Sequence, residues 1–252
     1  MKFKGIFFDL YGTLLIYTNN SEPWSDWITT FYRSLKNYGL KLSKESFMVR
    51  CDGFFEKDDP PVENDGLTVY ERRIENLCQT LNLNLSNKEI LFTAESCLKT
   101  WHKYIVLDPI SIPLLKEFKK NRKIALISNF DYPPHIYSVL HTMNLFEYFD
   151  SIVISGEVGV KKPDPHIFSF AFEQTGLDPE EIIYVGDAPE DIQAAKAAGI
   201  YPILIQRYIQ SSDSLMTDYK ANPDSIFNNQ NHLIFKNVKR ISNLEELFKL
   251  IE

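Results

Sequence analysis

Short apolar runs alternate with longer amphipathic stretches over the second half of this chain. The runs are rich in β-branched and aromatic residues, each precedes a stretch of helical periodicity, and they cover residues 123–127, 151–154, 182–185 and 201–205. A further apolar run covers residues 3–8. Apolar runs of this length are typical of strands buried on both faces, and their alternation with helices favours a parallel sheet. The pattern therefore predicts an α/β core with five parallel strands flanked by helices.

Between residues 15 and 104 the pattern is helical instead. Four helix-like segments are separated by breakers such as Asp58-Asp59-Pro60-Pro61, and they cover roughly residues 22–38, 43–57, 66–83 and 87–101. We find no convincing core strand in this stretch. We therefore expect a small helical domain over residues 17–103, inserted into a core made of residues 1–16 and 104–252.

The end of the chain has a weaker pattern. Residues from 206 to about 231 are mainly polar, which predicts a long surface loop. An apolar run at 232–235 and a helix over 242–250 are expected to complete the core.

Composition narrows the class of protein. Hydrophobic residues make up 44% of the chain and charged residues 24%, which are ordinary globular values. The formal net charge of −7 argues against nucleic acid or an anionic membrane surface as a partner. No apolar run approaches the roughly 20 residues that span a bilayer, and none near the N-terminus suits a signal peptide. Three cysteines without a short pairing pattern indicate free thiols, so we expect a cytoplasmic protein. We expect it to be either a monomer or a homodimer.

Four polar motifs lie at the carboxyl ends of predicted strands. They are Asp9-Leu10-Tyr11-Gly12-Thr13, Ser128-Asn129, Lys162 within Lys161-Lys162-Pro163-Asp164-Pro165, and Gly186-Asp187 with Asp191. Taken one at a time, such residues are most often helix caps, turns or solvated charges. Open α/β sheets bind ligands at the carboxyl ends of their strands, so four motifs at that edge predict one common site.

In this order the motifs resemble those of the haloacid dehalogenase superfamily, in particular its branch with a helical cap inserted after the first strand. The resemblance covers nearly the whole chain and includes Ile127-Ser128-Asn129-Phe130-Asp131, Val158-Gly159-Val160-Lys161-Lys162-Pro163-Asp164-Pro165 and Val185-Gly186-Asp187. It implies a Rossmann-like core with a mobile helical cap. It also implies catalysis by an aspartate nucleophile, which matches Asp9, and it places the functional cation immediately before Pro163, at Lys162.

The same residues suit phosphoryl transfer. A carboxylate that attacks phosphorus divides one difficult substitution into two easier ones through a covalent ester, and the charge on the phosphoryl oxygens calls for donors and cations nearby. Hard oxygen ligands suit Mg²⁺, with Asp191 either binding a metal-bound water or orienting Lys162. The residues expected to carry the reaction are Asp9, Tyr11, Thr13, Ser128, Asn129 and Lys162, and those expected to bind Mg²⁺ are Asp9, Tyr11 through its carbonyl, Asp187 and Asp191.

Tyr11 departs from the phosphatase pattern. The resemblance implies an Asp here, which protonates the leaving oxygen and then activates water, and loss of such a group typically costs about 10²–10⁴-fold in rate. Dehalogenases of the superfamily carry Tyr at this position, but they work without metal and lack the Gly186-Asp187 pair. We therefore expect a Mg²⁺-dependent phosphatase that acts on a small phosphorylated metabolite through a phospho-Asp9 intermediate, with Tyr11 in place of the usual general acid/base. A 2-haloacid dehalogenase and a non-catalytic ligand-binding protein are the alternatives.

Overall fold

The computed structural model describes residues 3–18, 23–61, 65–207 and 234–251. The chain divides into two compact units. One comprises Met1–Asn19, Val106–Phe130 and Ile136–Glu252, and the other comprises Asn20–Ile105 and Asp131–His135.

Six parallel strands form the sheet of the first unit. They are β1 (Gly5–Phe8), β4 (Lys123–Ser128), β5 (Ser151–Ile154), β6 (Ile182–Gly186), β7 (Tyr201–Ile205) and β8 (Lys239–Ile241). Their spatial order across the sheet is β5-β4-β1-β6-β7-β8. Central strand β1 lies between β4 and β6, with Phe8 aligned to Leu126 on one side and to Val185 on the other. Because the three strands run parallel in this register, the residues that follow them meet at one edge of the sheet.

Helices complete the first unit. They are α5 (Ser111–Phe118), α6 (Pro133–Thr142, whose first residues belong to the second unit), α7 (Ser155–Val158), α8 (Ser169–Thr175), α9 (Pro189–Ala197) and α10 (Glu246–Leu250), with 3₁₀ turns at Phe146–Tyr148, Pro165–Phe168 and Pro179–Glu181. Fully buried Phe7 and Tyr184 of the sheet pack in one cluster with Phe168, Ala194 and Ala195 of the helical layers. This apolar burial is the main force that holds the sheet against its helices.

The second unit is helical, with α1 (Pro23–Asn37), α2 (Lys44–Arg50), α3 (Val69–Thr80) and α4 (Asn87–His102). Its core is aromatic: Trp27 is 2% exposed, stacks on Trp24 and donates its indole N–H to the Tyr70 hydroxyl at 2.9 Å. The buried Arg73 guanidinium binds Asp131 at 2.8 Å, and this ion pair fastens residues 131–135 to the helices of the unit.

The predicted fold class, a parallel α/β sheet flanked by helices, is confirmed. All five predicted strands are present, with the first shortened to Gly5–Phe8. The sheet has a sixth strand, Lys239–Ile241, that was not predicted, and β2 (Leu15–Tyr17) pairs with β3 (Ile105–Leu107) in a separate two-stranded sheet where no strand was expected. The expected loop over residues 206–231 lies almost entirely outside the described residues. Among the helices described, none is both long and apolar enough to cross a bilayer.

Candidate active site

Asp9 is held in a tight loop directly after β1. Its backbone N–H donates to Val185 O at 2.9 Å, and the carboxylate is almost wholly buried. The loop turns back on itself because the N–H of Leu15 donates to Leu10 O at 2.8 Å. Gly12 has a φ of +84°, and a Cβ added to it would overlap the Asp187 carboxylate. A glycine is therefore required both by the backbone conformation and by the close approach of Asp187.

Lys162 is the cation of the site. Its Nζ donates to Asp9 Oδ1 and to Asp191 Oδ1, each at 2.7 Å, and also lies 3.0 Å from both Ile127 O and the Tyr184 hydroxyl. The side chain is 2% exposed, whereas neighbouring Lys161 is exposed. The buried ammonium therefore joins the ends of β1 and β4 to the start of α9.

Burial and charge oppose each other in this cluster. Burial raises the pKa of Asp9 to about 7, against the lowering effect of the Lys162 charge. Burial also raises the pKa of Asp187 well above its usual range, and the charges of Asp9 and Asp191 add to that rise. Burial by itself would lower the pKa of Lys162, but the charges of Asp191 and Asp9 outweigh it and hold that pKa well above its ordinary value. Three ionised carboxylates would therefore exceed the charge of the Lys162 ammonium, and the raised pKa values of Asp9 and Asp187 reflect that excess.

Three carboxylates converge at this point. One oxygen from each of Asp9, Asp187 and Asp191 lies within 4.8 Å of the others. Asp9 and Asp191 are buried and Asp187 is half-buried. Hard oxygen ligands at this spacing, which when ionised exceed the charge of Lys162, fit a divalent cation such as Mg²⁺. Asp191 has a second contact, because its Oδ2 accepts the N–H of Ala188 at 2.9 Å in the first turn of α9.

Asn129 positions the segment that carries Lys162. Its side-chain amide donates to Lys162 O and its Oδ1 accepts the Lys162 N–H, both at 2.9 Å. Ser128 is buried at the end of β4. Thr13 is fully buried in the loop after β1, and its hydroxyl has no hydrogen-bond partner among the described residues.

Tyr11 is half-buried in the same loop. Its ring centroid lies 5.4 Å from that of Phe130, which follows Ser128 and Asn129. The loop after β1 and the loop after β4 therefore make an aromatic contact with each other.

Sequence reasoning missed three residues around this site. The Tyr184 hydroxyl, fully buried in β6, lies 3.0 Å from Asp191 Oδ1 and 3.2 Å from Ile127 O. Half-buried Glu190 has its pKa raised by burial and by the charge of Asp191. Arg207 donates to the backbone of the loop after β1. Tyr184 had a usable signal, because a tyrosine inside a buried strand needs a partner for its hydroxyl.

Comparisons with known proteins agree on one family. A model described as haloacid dehalogenase-like hydrolase matches residues 3–199. Pyrimidine 5'-nucleotidase YjjG of Escherichia coli is 30% identical over 212 residues, which cover 79% of this chain and 84% of that protein. A phosphoserine phosphatase of Thermus thermophilus is 30% identical over 132 residues, which are 52% of this chain and 51% of that protein. The Rhythmically expressed gene 2 protein of Drosophila melanogaster is 38% identical over 104 residues, which cover 38% of this chain and 39% of that protein.

Solved structures share the fold at lower identity. A phosphatase from Thermococcus onnurineus has a TM-score of 0.62 at 22% identity, with 98% of this chain and 97% of that chain covered. A 2-haloacid dehalogenase from Pseudomonas syringae has a TM-score of 0.64 at 18% identity, with 99% and 98% covered. Similar scores for a phosphatase and a dehalogenase mean that the fold alone does not separate the two reactions.

Proposed function

Because this chain belongs to the haloacid dehalogenase-like hydrolase family, we propose that it is a Mg²⁺-dependent phosphatase acting on small phosphorylated metabolites. One observation carries the proposal: one oxygen from each of buried Asp9, half-buried Asp187 and buried Asp191 lies within 4.8 Å of the others, beside the Lys162 ammonium. Such a cluster would repel a phosphate group unless a cation were bound with it.

In the proposed reaction, an oxygen of Asp9 attacks phosphorus and the bond from phosphorus to the leaving oxygen breaks. The product is an acyl phosphate on Asp9, which water then hydrolyses to regenerate the carboxylate. Lys162 holds Asp9 in place by its 2.7 Å hydrogen bond. The buried Thr13 hydroxyl, Ser128 and the Asn129 N–H are the proposed donors to the phosphoryl oxygens.

Asp9, Asp187, Asp191 and the carbonyl of Tyr11 are the residues that would hold Mg²⁺. The ion, when bound, would neutralise phosphate charge and favour the ionised form of Asp9. Asp191 has two proposed roles, to bind the metal and to orient Lys162, since one of its oxygens already accepts a hydrogen bond from Lys162.

Hydrolysis of p-nitrophenyl phosphate tests the proposal. We expect Mg²⁺-dependent turnover by the wild type and its loss in Asp9→Asn, with Glu173→Gln on the exposed side of α8 as the matched control. Equal, slow hydrolysis by wild type and Asp9→Asn would refute the proposal. A panel of phosphate esters that includes pyrimidine nucleoside monophosphates and phosphoserine then defines the substrate, since relatives carry those names.

Tyr11 favours a second candidate function, the hydrolysis of a 2-haloacid, because halide leaves without a proton. This alternative predicts halide release from 2-chloropropionate in the presence of a chelator. Activity that the chelator abolishes excludes it. Ligand or Mg²⁺ binding without any turnover would instead support a non-catalytic binding protein.

A further inference from the structure

Arg207 binds the backbone of the loop that carries Asp9. Its Nε donates to Gly12 O at 3.1 Å, and its Nη2 donates to Thr13 O at 2.7 Å. These carbonyls lie 195 and 194 residues away in the sequence. Arg207 follows β7 and lies beyond residues 3–199, the part of the chain that the family model matches.

The third arm of the guanidinium is anchored by Asp108. Arg207 Nη1 lies 2.6 Å from Asp108 Oδ2, and the two side chains are 16% and 7% exposed. The other oxygen of Asp108 accepts the Ile110 N–H at 2.8 Å, and the Asp108 N–H donates to Leu14 O at 3.1 Å. Both partners of the ion pair therefore bind the same loop, Arg207 at residues 12 and 13 and Asp108 at residue 14.

The planar guanidinium group of Arg207 holds two consecutive carbonyl groups, and this fixes the orientation of two peptide groups. The first of these peptide groups joins Gly12 to Thr13, and the second joins Thr13 to Leu14. Gly12 has no room for a Cβ against Asp187, so a rotation of the first group would move Gly12 relative to Asp187 and disturb the turn that follows Asp9. We propose that Arg207 is a positioning residue that holds the loop from Asp9 to Thr13 in its reactive conformation. The catalytic part of this inference rests on the proposed function.

Arg207→Met removes the guanidinium group and its hydrogen bonds to the two carbonyls. Since it also leaves Asp108 buried without its cation, the double variant Arg207→Met with Asp108→Asn keeps the charge balance and guards against simple misfolding. Arg207→Lys keeps the charge but offers no planar fork. Arg122→Met is the matched control, because Arg122 is also half-buried in the first unit and donates to a backbone carbonyl, Ile251 O at 2.6 Å.

Two measurements are made on each full-length variant. The first is kcat and KM for p-nitrophenyl phosphate with Mg²⁺. The second is hydrogen–deuterium exchange of the peptide covering residues 9–15, whose amides at Gly12, Leu14 and Leu15 are hydrogen-bonded inside the loop. Local opening of a loop is read directly by this exchange.

For the double variant we expect kcat to fall at least about tenfold with KM within about twofold. Exchange in residues 9–15 should accelerate several-fold, while Arg122→Met matches the wild type in both measurements. Arg207→Lys should retain more kcat than Arg207→Met, because an ammonium can still hold one of the carbonyls.

Unchanged exchange in residues 9–15 overturns the inference, and so does faster exchange with kcat within about twofold of the wild type. The proposed function fails in a different way: the wild type then shows no Mg²⁺-dependent hydrolysis at all. In that case the exchange measurement still decides whether Arg207 holds the loop.

Discussion

Tyr11 lies two residues after the proposed nucleophile, with its ring 5.4 Å from that of Phe130. A phenol has an ordinary pKa of about 10, so it is a weak acid and a poor base for water at neutral pH. A good leaving group needs little protonation, whereas an alkoxide needs a full proton. We therefore expect the wild type to hydrolyse p-nitrophenyl phosphate much faster than an alkyl phosphate, and Tyr11→Asp to raise kcat for the alkyl ester by about 10².

The ratio of kcat for the two esters, measured at pH 7 with Mg²⁺, checks this prediction. Tyr11→Phe is the control, since it keeps the aromatic contact with Phe130 and removes only the hydroxyl. Equal kcat values for both esters in the wild type would contradict it, as would a Tyr11→Asp variant that loses activity on both.

At the residue scale, the sequence predicts the site where a chemically suitable side chain also follows a predicted strand. Asp9, Lys162 and Asp191 could be predicted to meet because each follows a strand of one parallel sheet, and they lie within hydrogen-bond distance. The contact of Arg207 with the loop after β1 could not be predicted, since a contact between residues nearly two hundred positions apart leaves no local sequence pattern. Tyr184 could have been suspected, because a tyrosine inside a buried strand needs a partner for its hydroxyl, but only the structure shows that the partners are Lys162 and Asp191.

At the scale of elements, the pair His102 and His135 joins the end of α4 to the start of α6. The two rings are 4.9 Å apart, and His102 is the titratable group that faces His135. Burial, together with the charge on His102, lowers the pKa of His135 to about 4. Because the folded pKa lies below the unfolded value of about 6.5, this histidine adds stability above pH 6.5 that is lost as the pH falls toward 4.

We expect the free energy of unfolding of the second unit to fall by about 2 kcal/mol between pH 7.5 and pH 5 on account of His135. Tryptophan fluorescence during urea unfolding measures it, because Trp24, Trp27 and Trp101 all lie in this unit. His135→Gln should flatten the dependence on pH, and His141→Gln, at an exposed position of the same helix, should keep the wild-type slope. The same slope in His135→Gln as in the wild type would contradict the assignment.

Strands with a continuous apolar run were predicted from the sequence, and the three-residue strands were not. Strand β4 has five buried residues in succession, so its apolar run identifies it. Strand β8 has the sequence Lys-Arg-Ile with one buried side chain, and β2 and β3 have three residues each, too few for any period to be read. The apolar run at 232–235 was expected to help complete the core, and Phe235 is buried, within a turn over residues 234–237.

On the scale of the whole molecule, the proposed site is a cost to stability. The chain has a formal net charge of −7, and the first unit gathers buried Asp9, half-buried Asp187 and buried Asp191 at the end of its sheet, with Lys162 paired to Asp9 and Asp191. Burial and the neighbouring charges both disfavour an ionised Asp187. A cation bound only by the folded protein would offset this cost by mass action.

Asp187→Asn tests this balance. Without Mg²⁺ we expect the variant to melt roughly 2–6 °C above the wild type, since an amide of nearly the same volume replaces a carboxyl group whose ionised form is disfavoured in the folded protein. Millimolar Mg²⁺ should raise the melting temperature of the wild type and leave that of Asp187→Asn almost unchanged. Circular dichroism of the sheet follows both transitions, with Glu173→Gln showing the effect of losing one exposed carboxylate. If Mg²⁺ stabilised Asp187→Asn as much as the wild type, Asp187 would not be a ligand, and the carboxylate cluster would no longer favour a metal-using phosphatase over a dehalogenase.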